Sequence, residues 1–389
     1  MRSVILIGIC ALLMCNLRAQ EVDTTLQKAS LLFIGDIMGH DAQIIAAMES
    51  DSITYNYDDV FTYIEPTIAG ADLSIANLEV TLDCRPFSGY PSFSSPVELA
   101  TACKNAGIDC LVTANNHSCD RRLKGIERTI SVLDSLGIKH TGTYLNPQEK
   151  ITQEPLILEA NNIRVALLNY TYGTNGIPVP APTVVNLIHR DSISNDIKRA
   201  RTFNPDVLIT FFHWGDEYSK EPNGSQQELA QFCFDAGADI VIGSHPHVVQ
   251  KMDWTQDESG VSRLVVYSLG NFVSNQRRAG TDGGMMARID LTKDSSGVVR
   301  IDDAGYYLTW VYTPYESGKK RFRILPVASF HEKPEFFDNR PDYEKMMQFA
   351  GDARRILSTG SGGVREFTGL PAEASKTGSS GHNKEEPGK

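Results

Sequence analysis

The chain has no long basic block. Lys and Arg number 37 against 48 Asp and Glu, leaving a formal net charge of −11 over 389 residues. Phosphate backbones are held by clusters of Lys and Arg, so nucleic acid is excluded as a partner. Charge-driven recruitment to anionic lipid lacks support for the same reason. Beyond the N-terminal segment no run reaches 18 apolar residues, so nothing there reads as a membrane-spanning helix. No C-x-x-C occurs, which removes zinc-ribbon and thioredoxin-type chemistry. Hydrophobic content of 41% and charged content of 22% exclude wholesale disorder. The length admits one large domain or two smaller ones, either able to bury a core without disulfides.

The first nineteen residues stand apart. Arg2 precedes an apolar run from Val4 to Met14, and Leu17-Arg18-Ala19 offers a small residue for cleavage. That layout predicts a secretory signal over residues 1–19, hence an exported protein in the periplasm or at the cell surface. Leu12-Leu13-Met14-Cys15 also resembles a lipoprotein signal, which would place a lipid anchor on Cys15; membrane contact is expected only in that case. Beyond the signal remain Cys84, Cys103, Cys110, Cys119 and Cys233. An odd count leaves at least one thiol unpaired, and small buried hydrophobes are the favoured reading of all five.

From residue 31 short aliphatic runs alternate with helix-like patterns. Residues 31–34, 73–76, 110–113, 165–168, 207–212, 240–242 and 264–268 read as buried strands. Between them, 42–49, 97–105, 126–136, 192–202 and 226–236 carry apolar residues at helical spacing. Gly107, Gly137 and Gly237 stand just past three of those helices, where a C-terminal cap takes positive φ. Alternation of this kind predicts a layered α/β fold with partly parallel sheets. After about residue 275 the pattern turns to antiparallel strands at 285–291, 298–301, 306–312 and 322–326, then a helix at 342–357. The expected division is a main domain over 30–275, a β-rich extension completing it over 276–330, a helical segment over 331–369, and a disordered tail over 370–389.

Ionisable residues recur where the buried strands end. The first strand runs into Gly35-Asp36, with His40 beyond, and the second into Asn77-Leu78-Glu79. Later exits give Asn115-Asn116-His117 with Asp120, then His213-Trp214-Gly215-Asp216-Glu217, then Ser244-His245-Pro246-His247. Carboxyl ends of strands are where α/β folds bind ligands. Carboxylate, amide oxygen and imidazole together suit one or two borderline divalent ions: Mn, Zn or Fe. A carboxylate bridging two ions about 4 Å apart lets the pair activate a water. His245-Pro246-His247 is the sharpest element, because in an extended segment i and i+2 share a face and Pro246 stiffens the pair. Taken singly, His213 also reads as a satisfied core histidine, Asp36 as a turn residue and Asn116 as a cap. Glu79 has the weakest such alternative, since a carboxylate in an apolar exit is costly without a partner. The polar stretch 169–176 reads equally as a cleft lining or a surface loop, and the pairs Arg121-Arg122 and Arg277-Arg278 as anion holders or solvated faces.

Six motifs then occur in order over about residues 31–312: Gly35-Asp36-Ile37-Met38, Asp72 with Ala76-Asn77-Leu78-Glu79, Ala114-Asn115-Asn116-His117, His213-Trp214-Gly215-Asp216-Glu217, Gly243-Ser244-His245-Pro246-His247 and Ser268-Leu269-Gly270-Asn271-Phe272. This set resembles the bacterial capsule-synthesis (CapA-type) poly-γ-glutamate family, a branch of the calcineurin-like metallophosphoesterase superfamily. The resemblance implies a four-layer α/β/β/α sandwich with a β-rich C-terminal extension. It implies metal ligands at Asp36, Glu79, Asn116, His213, His245 and His247, with Glu79 in place of a bridging aspartate. His117, with Asp120, would be the acid group; Asn271, Arg121 and Glu217 would serve substrate, Asn271 also steadying a ligand histidine. Met38 stands where the superfamily has a histidine, for which His40 is the candidate substitute. The implied function is an exported metal-dependent hydrolase or transferase acting on an anionic polymer or a small phosphoester beside the capsule machinery. A non-catalytic polymer-binding or export subunit with a degenerate site is the alternative.

Overall fold

The computed structural model describes residues 26–256 and 262–369. The expected signal, Cys15 and the expected tail lie outside the described residues. Alternation along single strands decides the layers. In the strand Gln27–Ile37, Leu31 and Phe33 turn to one face and Leu32 and Ile34 to the other, and all four are buried. A strand apolar on both faces must be covered on both. Leu31 and Phe33 meet Ile75 and Val112 of their own sheet, then Val165, Ile209, Phe211 and Ile242 of a second sheet, in the central core. Leu32 and Ile34 pack instead beneath Leu99, Cys103 and Leu133 of the helices Val97–Asn105 and Arg122–Leu136. The second sheet repeats the rule. Leu208 and Phe212 of Val207–His213 face outward to Ile193, Ile197, Leu229 and Ala230 on the helices Arg190–Thr202 and Gly224–Ala236. Helices, sheet, sheet, helices: the chain is the four-layer α/β/β/α sandwich expected.

The first sheet runs Arg323–Pro326, Val299–Tyr312, Gly283–Lys293, Gln27–Ile37, Leu73–Leu78, Cys110–Val112, Lys139–Thr141. The last four of these strands are parallel, and the other three join antiparallel to them. The second sheet runs Met252–Gln256, Ser262–Val266, Ile240–Ser244, Val207–His213, Ile163–Thr171, Leu156–Ala160, with the inner four parallel. Parallel strands from both sheets therefore release their carboxyl ends on one side.

One expectation fails in the C-terminal part. Residues 298–301 and 306–312 were expected to be separate strands, but they are one strand, Val299–Tyr312. Its register slips between Asp290↔Asp303 and Leu291↔Ile301, so Asp302 is accommodated as a bulge rather than ending the ladder. The helix Arg340–Leu357, capped by Asn339, sets Met346, Phe349, Ala350, Ala353 and Leu357 against the central core. All five cysteines of the described residues are buried and unpaired, as favoured above. No helix among the described residues is long and apolar enough to cross a membrane.

Candidate metal centre

A bulge aims the first carboxylate. Ile34 pairs with Ala76 and Asp36 with Asn77, so Gly35 is an extra residue that returns Asp36 to the inner face. Only glycine fits there, because a Cβ would lie 2.1 Å from the Gly270 carbonyl oxygen. Asp36 is fully buried. Its Oδ1 accepts from Asn77 Nδ2 at 2.7 Å and from the Ser244 hydroxyl, and its Oδ2 lies 3.1 Å from His247 Nδ1. Ser244 arrives by the same pleat arithmetic, two residues past the inward Ile242. Burial pushes the Asp36 carboxyl upward, but the hydrogen bond and charge of His247, with His213 and Ser244, prevail and hold it below the usual carboxylate range.

Glu79 stands two residues past Asn77 on the same inner face, fully buried, and neither carboxylate oxygen has a hydrogen-bond partner. His213 Nε2 is 3.4 Å and His247 Nε2 3.9 Å from Glu79 Oε1. Burial and then the charge of Asp36 push the Glu79 carboxyl up to about 8. His213 extends the inward series Ile209, Phe211 by one more pleat step. Around its Nε2 stand Asn116 Oδ1 at 2.9 Å and His245 Nδ1 at 3.1 Å, besides Glu79. A neutral imidazole has one N–H and cannot serve several acceptors at once. Burial drives His213 down to about 3 and, with the neighbouring histidines, His245 down to about 2. His247 is pressed down by burial, yet Glu79 and Asp36 carry it up to about 9. Donor atoms of Asp36, Glu79 and His213 lie within 4.8 Å of one another, and so do those of Glu79, His245 and His247. Glu79 belongs to both groups.

His245 and His247 meet by another route than the one expected. Their φ values are +101° and +59°, so left-handed backbone, not an extended pleat, folds the two rings inward to 5.9 Å. Side chains with a Cβ adopt such angles rarely and at a cost, which the surrounding structure must sustain.

His117 Nδ1 lies 2.7 Å from Asp120 Oδ2, which also accepts the backbone N–H of Phe93 at 2.6 Å. A carboxylate only accepts, so His117 carries its proton on Nδ1 while Asp120 is ionised. Asn115 accepts the His117 backbone N–H at 3.1 Å, and the Phe93 ring stands edge-on 4.6 Å from the imidazole.

Three of the expected site residues, His40, Asn271 and Arg121, stand apart from the donor groups. His40 lies outside both donor groups: its Nδ1 stands 3.1 Å from Gln43 Oε1 and 3.2 Å from the Asn275 backbone nitrogen, at the start of the helix Asp41–Ala47. Met38 is buried among apolar neighbours, so nothing there replaces a histidine. Asn271 stands beside His247. It is fully buried; its Oδ1 lies 3.0 Å from His247 Nδ1, and its amide donates to Gln276 and Thr281. Arg121 donates through one guanidinium nitrogen to Pro86 and Ser88. Glu217 is exposed beside the cluster, close enough to act on Glu79 and His247. The stretch 169–176 does line the opening, with the Tyr172 ring 4.6 Å from His245 and Asn175 accepting from Asn116. Sequence reasoning gave no role to Asn77 or Ser244, although a two-residue step from Glu79 and Ile242 marks each.

The family profile described as "Bacterial capsule synthesis protein PGA_cap" matches residues 30–276. Capsule biosynthesis protein CapA of Bacillus anthracis is 27% identical over 288 residues, 71% of this chain and 67% of the relative. PGA biosynthesis protein CapA of Bacillus subtilis (strain 168) is 27% identical over 278 residues, 69% of each. Among solved structures, the calcineurin-like phosphoesterase YfkN from Bacillus subtilis is similar with a TM-score of 0.44 at 12% identity, covering 85% of this chain and 99% of that one. With the profile spanning most of its length and every motif of the site, the chain belongs to the bacterial capsule synthesis family PGA_cap.

Proposed function

We propose that the chain is an exported, metal-dependent hydrolase or transferase of capsule synthesis, acting on an anionic surface polymer of γ-glutamyl type or on a small phosphoester. Glu79 carries this reading: a carboxylate with no exposed surface and two unpartnered oxygens needs a cation, and no Lys or Arg approaches it in an ion pair among the described residues. The donor set around it, two carboxylates, three imidazoles and an amide oxygen, fits Mn, Zn or Fe. Asp36, Glu79 and His213 would hold one ion, with Asn116 beside His213, and Glu79, His245 and His247 a second. Such an ion supplies a Lewis acid and an activated water.

The chain's own residues do the rest. Asn271 and Asp36 fix the His247 proton on Nδ1 and leave Nε2 for the ion. Once its second nitrogen is protonated, His117 presents a donor to the leaving group, with Asp120 holding the ring. The relatives' names, capsule and PGA biosynthesis, point to a polyglutamate at the cell envelope and to export.

The alternative, a polymer-binding or export subunit, draws on Met38, which removes one ligand that a two-ion centre would use. Metal analysis of the purified protein, with assays on γ-glutamyl oligomers and on phosphodiesters, separates the readings. Less than about 0.2 equivalents of combined metal after reconstitution refutes the metal enzyme. Full metal with neither substrate cleaved favours the binding subunit. His245→Ala is expected to lose most of the metal, and unchanged content would overturn the ligand assignment. Mass spectrometry of the mature N-terminus distinguishes cleavage after Ala19 from acylation of Cys15.

A further inference from the structure

The paired arginines at 277 and 278 have opposite fates. Arg277, itself exposed, donates its guanidinium to the backbone oxygens of Val311 at 3.1 Å and Ser274 at 3.4 Å. Arg278 is exposed and makes no ion pair or side-chain hydrogen bond among the described residues. Its guanidinium lies over the Tyr218 ring, 4.5 Å from the centroid. The Tyr218 ring in turn stands 6.1 Å from that of His247. One aromatic ring thus separates an unpaired cation from the buried cluster. Tyr218 is held there at φ +66°, its N–H donating to the Pro246 carbonyl at 2.8 Å, between the two cluster histidines in sequence. Across the opening the half-exposed Tyr172 ring leans on His245.

We propose that Arg278, stacked on Tyr218, is a carboxylate-binding subsite that holds the unit of a γ-linked glutamyl chain next to the one at the metal centre. This rests on the function proposed above and names the contact that recognises the polymer. A guanidinium presents its donors as a planar fork that a carboxylate fills with two parallel bonds, and stacking leaves the fork open at its edge. A γ-glutamyl chain alternates a carboxylate with an apolar methylene arm, which matches one cation bordered by tyrosine faces. The need is acute because the protein carries a net charge of −11 and its bulk field repels such a chain. Arg121 and Arg277 each already donate to protein oxygens, whereas Arg278 donates to none among the described residues.

The test uses the full-length, metal-loaded protein and two probes, a γ-linked glutamate pentamer and the same pentamer with its α-carboxylates converted to amides. Calorimetry at fixed ionic strength gives their dissociation constants. Arg278→Ala is expected to weaken the acid pentamer about tenfold or more and the amide pentamer less than about twofold. Arg278→Lys should recover only part of the loss, since the charge returns without the fork. Equal affinity of Arg278→Ala and wild type for the acid pentamer overturns the subsite, and so does equal weakening of both probes. Loss of metal from the variant also overturns it, by assigning Arg278 to the architecture of the centre. A metal-loaded wild-type protein that does not bind the acid pentamer refutes the polyglutamate reading itself, a result distinct from failure of the subsite alone.

Discussion

Replacing Glu79 by glutamine should change stability in opposite directions with and without metal. In the metal-free protein the buried carboxyl is raised from 4.5 to about 8, by burial first and then by Asp36, even with the opposing charge of His247 included. The folded chain therefore keeps a proton that the unfolded chain releases. The group's contribution is complete below pH 4.5 and is lost as pH rises through 8. At about 1.4 kcal/mol per pH unit, ionising the buried group costs on the order of 5 kcal/mol at the alkaline end and roughly 3 at pH 7. Glu79→Gln has nearly the same shape and no charge to bury. Stripped of metal, it should match wild type near pH 5 and melt a few degrees higher at pH 8, on the order of 3–5 °C for a chain of this size. With metal supplied the order reverses, because the ion loses the ligand shared by both donor groups and its binding no longer stabilises the fold. Differential scanning calorimetry from pH 5 to 8.5, on chelated and on reconstituted samples, reads both limbs. A stripped variant that melts below stripped wild type at pH 8 would refute the reasoning, and so would a loaded variant that retains full metal.

Three shorter expectations follow. His117→Asn should lower kcat by about 10²–10⁴-fold while metal content stays at the wild-type level, as read by single-substrate kinetics beside elemental analysis; parallel loss of metal would contradict a proton-transfer role. Asn271→Ala frees the His247 ring and should weaken metal binding by about 10–100-fold in a competition titration, with Asn271→Gln no better because the longer amide overruns the site. Gly35→Ala drives a Cβ into the Gly270 carbonyl and should destabilise the fold by more than about 2 kcal/mol in urea melts, with the metal lost even where the protein remains folded.

The layers and the approximate site were legible because both depend on local patterns. Strands buried on two faces are short aliphatic runs, and the residue at the end of each run is visible by eye; Asp36, Glu79, Asn116, His213, His245 and His247 all stand at such ends, and the structure brings them together. What was not legible depends on register between distant segments. The bulge at Gly35 is set by the Gly270 carbonyl more than two hundred residues away, and without it Asp36 would point to the outer helices. Asn77 and Ser244 look like ordinary strand residues until the pleat is counted from a known inward neighbour. The bend that joins His245 to His247 relies on left-handed backbone at residues with side chains, a conformation that local preference argues against. The gap between 298–301 and 306–312 did not end the strand, because the ladder with Gly283–Lys293 continues on either side of one extra residue, Asp302.

Arg277 and Arg278 sharpen the same point for function. Identical side chains at adjacent positions read identically in the sequence, and only the path of the loop after the strand Asn271–Val273 separates them: both are exposed, but one donates to the Val311 carbonyl while the other lies over Tyr218. A chain with eleven excess negative charges cannot draw in a polyanion by its general field, so selectivity for one must sit in groups this few and this local. The buried cluster has a deficit of positive charge that an ion would fill, and Arg278 at its rim makes no ion pair or side-chain hydrogen bond among the described residues. The two needs are complementary: an ion neutralises Glu79 from within, while the substrate's own carboxylate would satisfy Arg278 from outside.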